Sequence, residues 1–376
     1  MSSDSVTPTT ALTLPKILAF VLPQFHRIPE NDKWWGSGFT EWVNVSKARP
    51  LFRGHLQPRV PTHGGYYDLR DEQTQAWQAN LARAHGVGGF CYYHYWFNGK
   101  RLLEQPVELM LARGTPDMPF CLAWANEPWT RAWDGGDRQI LMPQTYGAEP
   151  DWRAHFDDLL RAFRDPRYIR VDGKPVFLIY RSASIPCCTE MLACWRAMAR
   201  DAGLAGLHLV QMLTGFELDE RTEMFDAFVE FEPMHTMYHH LSRWERRRET
   251  LARHRGKLVR WATGEAPHAP NSFNYRRLWR NIAARPLKEK HYPGAFVDWD
   301  NSPRRGLQRA IVLRGFAAEA FEHGLAAQYQ KARDAGAPFI FINAWNEWAE
   351  GAYLEPDEAR GSLFLDAVAR IVRAGS

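Results

Sequence analysis

Phe339-Ile340-Phe341-Ile342-Asn343 runs without a break into Ala344-Trp345-Asn346-Glu347-Trp348-Ala349-Glu350-Gly351. The opening residues are apolar at consecutive positions. That is the pattern of a strand covered on both faces, as in a parallel sheet. Seven similar runs precede it, at 17–22, 87–92, 119–123, 176–180, 207–212, 227–231 and 295–298. Helix-like stretches separate most of them. Amphipathic spacing predicts helices over 69–84, 152–163, 189–202, 313–335 and 363–374, with Gly86, Gly203 and Gly336 as stops. Eight buried strands alternating with helices predict an α/β chain folded as a single (β/α)8 TIM barrel; a doubly wound open sheet is the competing arrangement. Asp172-Gly173, between 168–171 and 174–177, predicts a hairpin on a primed turn.

A length of 376 residues suits one barrel with long loops, or two ordinary domains. The barrel is placed at 16–376, behind a polar, disordered tail at 1–15. Two connections, 23–68 and 232–293, are long insertions that leave the C-terminal ends of strands, the face where barrel active sites are built. A net charge of +4 with no concentrated basic face argues against a nucleic-acid partner. The arginine-rich stretch 243–260 reads first as a solvated helix face and second as an anion-binding patch. No apolar run is long enough for a membrane span, and the start of the chain lacks the pattern of a secretory signal. Five cysteines, with Cys187 and Cys188 adjacent, do not make a disulfide framework, and no paired CxxC spacing suggests zinc. The expectation is a cytoplasmic protein without metal or cofactor.

The strand ends carry the chemistry. The first run leads into Pro23-Gln24-Phe25-His26, and the second ends Tyr92-Tyr93-His94-Tyr95-Trp96. The third ends Trp124-Ala125-Asn126-Glu127-Pro128-Trp129, the sixth Glu230-Phe231-Glu232-Pro233, the seventh Asp298-Trp299-Asp300-Asn301. One end of the barrel is thus predicted to be crowded with carboxylates, amides and aromatic rings. A sugar has apolar C–H faces and a polar hydroxyl edge, so tryptophan mixed with Asp, Glu and Asn is the composition a sugar site needs. Of the 16 tryptophans, Trp34, Trp35, Trp42, Trp96, Trp124, Trp129, Trp133, Trp299, Trp345 and Trp348 fall in these segments or in the first insertion. Each alone is as well read as packing. Together they point to a sugar platform, and the predicted substrate-binding set is His94, Trp96, Trp124, Asn126, Glu127, Trp129, Glu230, Asp298, Trp299, Asp300, Trp345 and Asn346.

Glycoside chemistry uses two carboxylates near one bond. Glu347 and Glu350 lie three apart just after a buried strand, and on a helical turn that spacing brings Cβ atoms to about 5–6 Å. Like charges so close push one pKa up, which suits a proton donor. Acidic residues at a helix N-terminus are the bland alternative. The interleaved Trp345, Asn346 and Trp348 favour catalysis by Glu347 and Glu350. Glu127, in an Asn-Glu-Pro that resembles the acid/base signature of many retaining glycosidases, is the rival proton donor. His26 alone reads as structural.

Six stretches together resemble the WbsX-type proteins, relatives of glycoside hydrolase family 99 linked to bacterial O-antigen and surface-polysaccharide loci. They are 22–26, 32–36 with 39–42, 93–97, 124–129, 299–301 and 345–351, and the resemblance runs from about Lys16 over nearly the whole chain. It implies a metal-free barrel acting as a retaining endo-α-mannosidase or mannanase through a 1,2-anhydro sugar. By the same resemblance Glu347 deprotonates the 2-hydroxyl, while Glu350 protonates the departing oxygen and then activates water. An axial 2-hydroxyl suits that route, so the implied substrate is a manno-configured α-glycan, mannan or rhamnan. The WbsX-type group has also been labelled glycosyltransferase, and the mannosidase motif matches mainly around 345–351. A transferase needs a phosphate site; the chain has no Gly-rich phosphate loop, and only 243–260 and Arg304-Arg305 offer cations. A non-catalytic glycan-binding protein is the third reading, against which both glutamates argue.

Overall fold

The computed structural model describes residues 14–375 except 63–64, 132–135, 217, 219 and 265–266; most of the tail at 1–15 and Trp133 therefore lie outside the described residues. Eight parallel strands form the core: β1 Lys16–Val21, β2 Val87–Phe97, β3 Phe120–Trp124, β4 Lys174–Ile179, β5 His208–Leu213, β6 Ala227–Glu230, β7, and β8 Phe339–Asn343. β7 is split at Pro293 into His291–Tyr292 and Gly294–Phe296. Its first half pairs with β6 and its second half with β8, and β8 pairs with β1. The remaining neighbours pair in sequence order. The sheet therefore closes on itself, and the fold is a (β/α)8 barrel.

Closure depends on a close approach. A Cβ on Gly294 would sit 1.6 Å from the Glu230 carbonyl oxygen, so the seam between β6 and β7 admits only glycine there. The seventh strand lies earlier than the predicted 295–298: it ends at Phe296, and Asp298 falls in the loop beyond.

The helices are α1 Pro29–Trp35, α2 Glu41–Lys47, α3 Glu72–Ala84, α4 Gln105–Arg113, α5 Glu149–Phe163, α6 Cys188–Asp201, α7 Met234–His239, α8 Arg243–Thr263, α9 Tyr275–Ala284, α10 Ser302–Arg309, α11 Ala318–Asp334 and α12 Leu363–Gly375. The predicted helix over 313–335 is shorter than expected. Ile311–Arg314 is instead a strand paired with Asn271–Asn274 outside the barrel; Gly315, at φ 69°, turns the chain before α11 begins. The apolar Ile-Val-Leu run fits either state, and the partner strand decides it. The Asp172-Gly173 hairpin forms as predicted, with φ of 49° and 75° at the two turn residues.

The first insertion contributes α1 and α2; the second contributes α7, α8, Asn271–Asn274 and α9. At the top of the barrel core, Phe20 packs against Tyr93, Phe231 and Phe341 with centroids 5.3–5.6 Å apart. This aromatic layer is the floor on which the site stands. Among the described residues no helix is long and apolar enough to cross a membrane.

Candidate active site

The chain after β8 is a tight hairpin. Asn346–Glu347 pairs antiparallel with Ala352–Tyr353, and Trp348–Glu350 makes a single 3-10 turn at the tip, closed by Gly351 at φ 66°. Three contacts fix its position. Asn346 Oδ1 accepts from Leu22 N at 2.7 Å, Asn346 Nδ2 donates to the Leu22 carbonyl at 3.1 Å, and Trp345 N donates to the Phe20 carbonyl at 2.7 Å. Trp348 stacks on Tyr353 at 3.8 Å and donates to Glu355 at 2.6 Å. The two tryptophans and the asparagine thus anchor the hairpin inward, while Glu347 and Glu350 line the cleft.

Arg304, on α10, holds three carboxylates. Its Nη1 meets Glu350 at 2.6 Å, Nη2 meets Glu347 at 3.2 Å and Nε meets Glu41 of α2 at 2.9 Å. One guanidinium cannot neutralise three buried carboxylates, so the cluster retains protons. Burial, then the charge of Glu350, pushes the Glu347 carboxyl up to about 8 against the pull of Arg304. Burial also raises Glu350, opposed by Arg304 and Arg305. The pair titrates as a unit and keeps a shared proton near neutral pH. Arg304 lies closer to Glu350 than to Glu347, and it is the Glu347 carboxyl that burial raises to about 8.

The cleft above the pair is about 500 Å³, the size of a few sugar units. Tyr93, Tyr95 and Tyr180 line it, their hydroxyls kept neutral by burial beside the glutamates. Glu127 lies on the wall, 2.8 Å from Arg181, and burial raises its carboxyl despite that partner. A second hollow of about 190 Å³ opens on another side of Glu347, Arg304 and Tyr95, between Trp35 and Trp129. Buried Gln24 lines it, and its Nε2 makes no hydrogen bond to any described residue. Trp299 Nε1, at the main cleft, is likewise without a partner among the described residues.

A family model described as glycosyltransferase WbsX matches residues 17–368. The chain belongs to the WbsX family. It is 43% identical over 371 residues to an uncharacterized protein, WxcX, of Xanthomonas campestris pv. campestris strain B100, and 43% identical over 365 residues to WxcX of strain ATCC 33913. These matches take in 96% and 94% of this chain but 50% and 49% of the relatives, so the WbsX-family chain spans about half their length. Among solved structures it resembles a glycoside hydrolase-like protein, with a TM-score of 0.57, 13% identity and coverage of 98% and 97% of the two chains. It also resembles the GH99 endo-alpha-mannosidase of Bacteroides thetaiotaomicron in complex with Bis-Tris propane, with a TM-score of 0.54, 16% identity and coverage of 96% and 98%. At these identities the likeness is one of fold.

Of the predicted set, the WbsX-family barrel brings Glu127, Trp129, Trp299, Glu347 and Glu350 together at the cleft. The others lie in the packing around it. His94 bonds to His155 at 2.9 Å, Trp96 stacks on His155, and Trp124 donates to the Trp96 carbonyl. Asn126 clamps Tyr146 and the Arg181 backbone. Asp298 is held by Arg59 and Arg360, Asp300 by His55 and Gln57, and Glu230 by Arg285. Trp345 is buried against Phe90. Arg304, Glu41, Gln24 and the three tyrosines were not singled out as site residues in the sequence. For Glu41 and Gln24 a signal existed, because both lie inside tryptophan- or proline-marked stretches after β1.

Proposed function

We propose that the chain is a retaining, endo-acting glycoside hydrolase for an α-linked, manno-configured bacterial surface polysaccharide, of mannose or rhamnose. Glu347 takes the proton of the sugar 2-hydroxyl as its oxygen closes on the anomeric carbon to give a 1,2-anhydro sugar. Glu350 protonates the departing oxygen and then takes a proton from the water that attacks the anomeric carbon, while Glu347 returns its proton to the 2-oxygen as the anhydro ring opens. The observation that carries this reading is the carboxyl pair itself, two glutamates on one fixed turn under a single arginine at the floor of the cleft, with burial raising the Glu347 carboxyl. The first step removes one proton from the pair at the leaving oxygen and returns one from the 2-hydroxyl. The singly protonated pair is therefore its competent state; the roles require the proton to pass from Glu347 to Glu350 as substrate settles. The second hollow beside Glu347 supports endo action, because it offers room for sugar on a further side of the pair.

Glycosyl transfer is the second reading, favoured by the family description and by Arg305 and Arg309 lining the cleft. Incubation with α-mannan and rhamnan oligosaccharides, followed by NMR, distinguishes the two. The hydrolase releases reducing ends with retained configuration and leaves a 2-deoxy analogue untouched. Cleavage of the 2-deoxy substrate, or turnover only when a nucleotide-sugar donor is supplied, overturns it.

A further inference from the structure

Helix α8 wears its amphipathic faces the wrong way round for a helix that serves only to fold. The residues turned toward the protein are Glu245, Glu249, Ala252 and Gly256, none of them a large apolar side chain. Glu249 is buried between Arg277 and Arg314 at 2.5 and 2.7 Å, and Glu245 bonds to Ser242 and Asn281. Glu249 is the buried residue of the whole helix. The opposite face carries Trp244, Leu251 and Leu258, spaced by sevens so that they form one stripe, with Trp261 a turn further on. They are 62%, 59%, 65% and 86% exposed. The helix holds eight basic residues against two acidic ones, and both acids are committed on the inner face. The charged residues beside the stripe are therefore all arginine, Arg243 and Arg247 on one side, where His254 also lies, and Arg248 and Arg255 on the other, with Val259 next to them.

We infer that α8 is a docking helix for an anionic phospholipid surface. Large apolar side chains between rows of arginine, on a helix about 32 Å long, are what an interfacial helix needs in order to lie in the headgroup layer. The charge selects the occupant. A second copy of this chain would bring like-charged helices together, whereas anionic lipid headgroups complement them. The helix follows directly on α7, whose Met234 and Tyr238 line the cleft, and Arg246 donates to the Tyr238 carbonyl at 2.6 Å. A docked α8 holds the mouth of the cleft beside the membrane, where a membrane-anchored glycan would present itself.

The test needs no catalytic assay, so it stands apart from the reading of the active site. The full chain is sedimented with vesicles of phosphatidylcholine alone and of phosphatidylcholine mixed with phosphatidylglycerol. Binding is expected to the mixed vesicles only, weakening as salt is raised. Combined Arg247→Gln, Arg248→Gln and Arg255→Gln is expected to weaken it on the order of 100-fold, at about fivefold per cation. Combined Trp244→Gln, Leu251→Gln and Leu258→Gln is expected to weaken it at least about tenfold, since the apolar contact is lost. Both sets change exposed side chains, and circular dichroism and the melting temperature should match the unaltered chain. No binding to the mixed vesicles at low salt, or binding that survives both sets, overturns the inference. So does a dimer in sedimentation equilibrium that the apolar set dissociates.

Discussion

Glu347 and Glu350 carry different tasks in the proposed reaction, and substrates separate them. General acid–base groups contribute about 10²–10⁴-fold each. Glu350→Gln should lose turnover of glycans with poor leaving groups, yet keep part of the first step on an activated aryl glycoside. Glu347→Gln should fail with both, because no 2-oxyanion forms. Kinetics on the two substrates decide it; near-normal hydrolysis by Glu347→Gln would move attention to Glu127. The same pair sets the pH dependence. With Glu347 raised to about 8, the pair loses its last proton as pH climbs through that value and then has no acid to offer. The kcat/KM profile should fall on an alkaline limb near 8. In Glu347→Gln, any residual activity should fall at lower pH, since one of the two like charges beside Glu350 is gone and only that of Glu41 remains. An alkaline limb that stays in place in the variant would break the link. That two glutamates three apart sit close was legible from their spacing; the identity of their shared cation was not.

At the scale of elements, the site is one hairpin facing two helices from distant insertions. The hairpin was legible because its chemistry follows a buried strand without interruption. That Arg304 and Glu41 meet it was not, because α10 and α2 reach the hairpin only through the tertiary fold; the tryptophan-marked stretch around Glu41 signalled a site but not this contact. Trp345 and Trp348 show the converse: their type suggested sugar stacking, but a turn this tight needs large buried anchors. Arg304 supplies the next expectation. Arg304→Met leaves Glu41 fully buried without its cation, and breaking a buried pair in this way costs about 3–5 kcal/mol. Thermal unfolding should show that loss, and adding Glu41→Gln should recover much of it. Activity should not return, since Glu347 and Glu350 would hold their protons still more tightly without Arg304. A double variant that regains activity with stability would mean the arginine serves folding alone.

For the whole molecule, the barrel was legible because each strand announces itself locally as a short, doubly buried run. The split of β7 at Pro293 was not, since it answers to which neighbour each half meets. The buried ionisable groups add a property that no single run contains. Burial raises Glu347 to about 8 and Glu355 to about 7, so between the usual carboxylate range and these values the folded chain binds more protons than the unfolded one. Stability must then fall as pH rises through that window. Burial lowers His94 and His235 to about 3 and His26 to about 4, so below the usual histidine value the folded chain binds fewer protons. Stability must fall there as pH drops. Between 4.5 and 6.5 the two trends oppose each other and the three histidines outweigh the two glutamates, whereas above 6.5 the glutamates act alone, so the melting temperature should peak near pH 6.5. On the alkaline side each excess proton contributes a slope of up to about 1.4 kcal/mol per pH unit. Glu347→Gln removes one such group and leaves Arg304 paired with Glu41 and Glu350. The variant should melt higher than the unaltered chain at pH 8, with an advantage that shrinks steadily toward pH 5. An advantage independent of pH would mean that Glu347 ionises freely in the fold, and the shared proton on which the proposed chemistry rests would be lost with it.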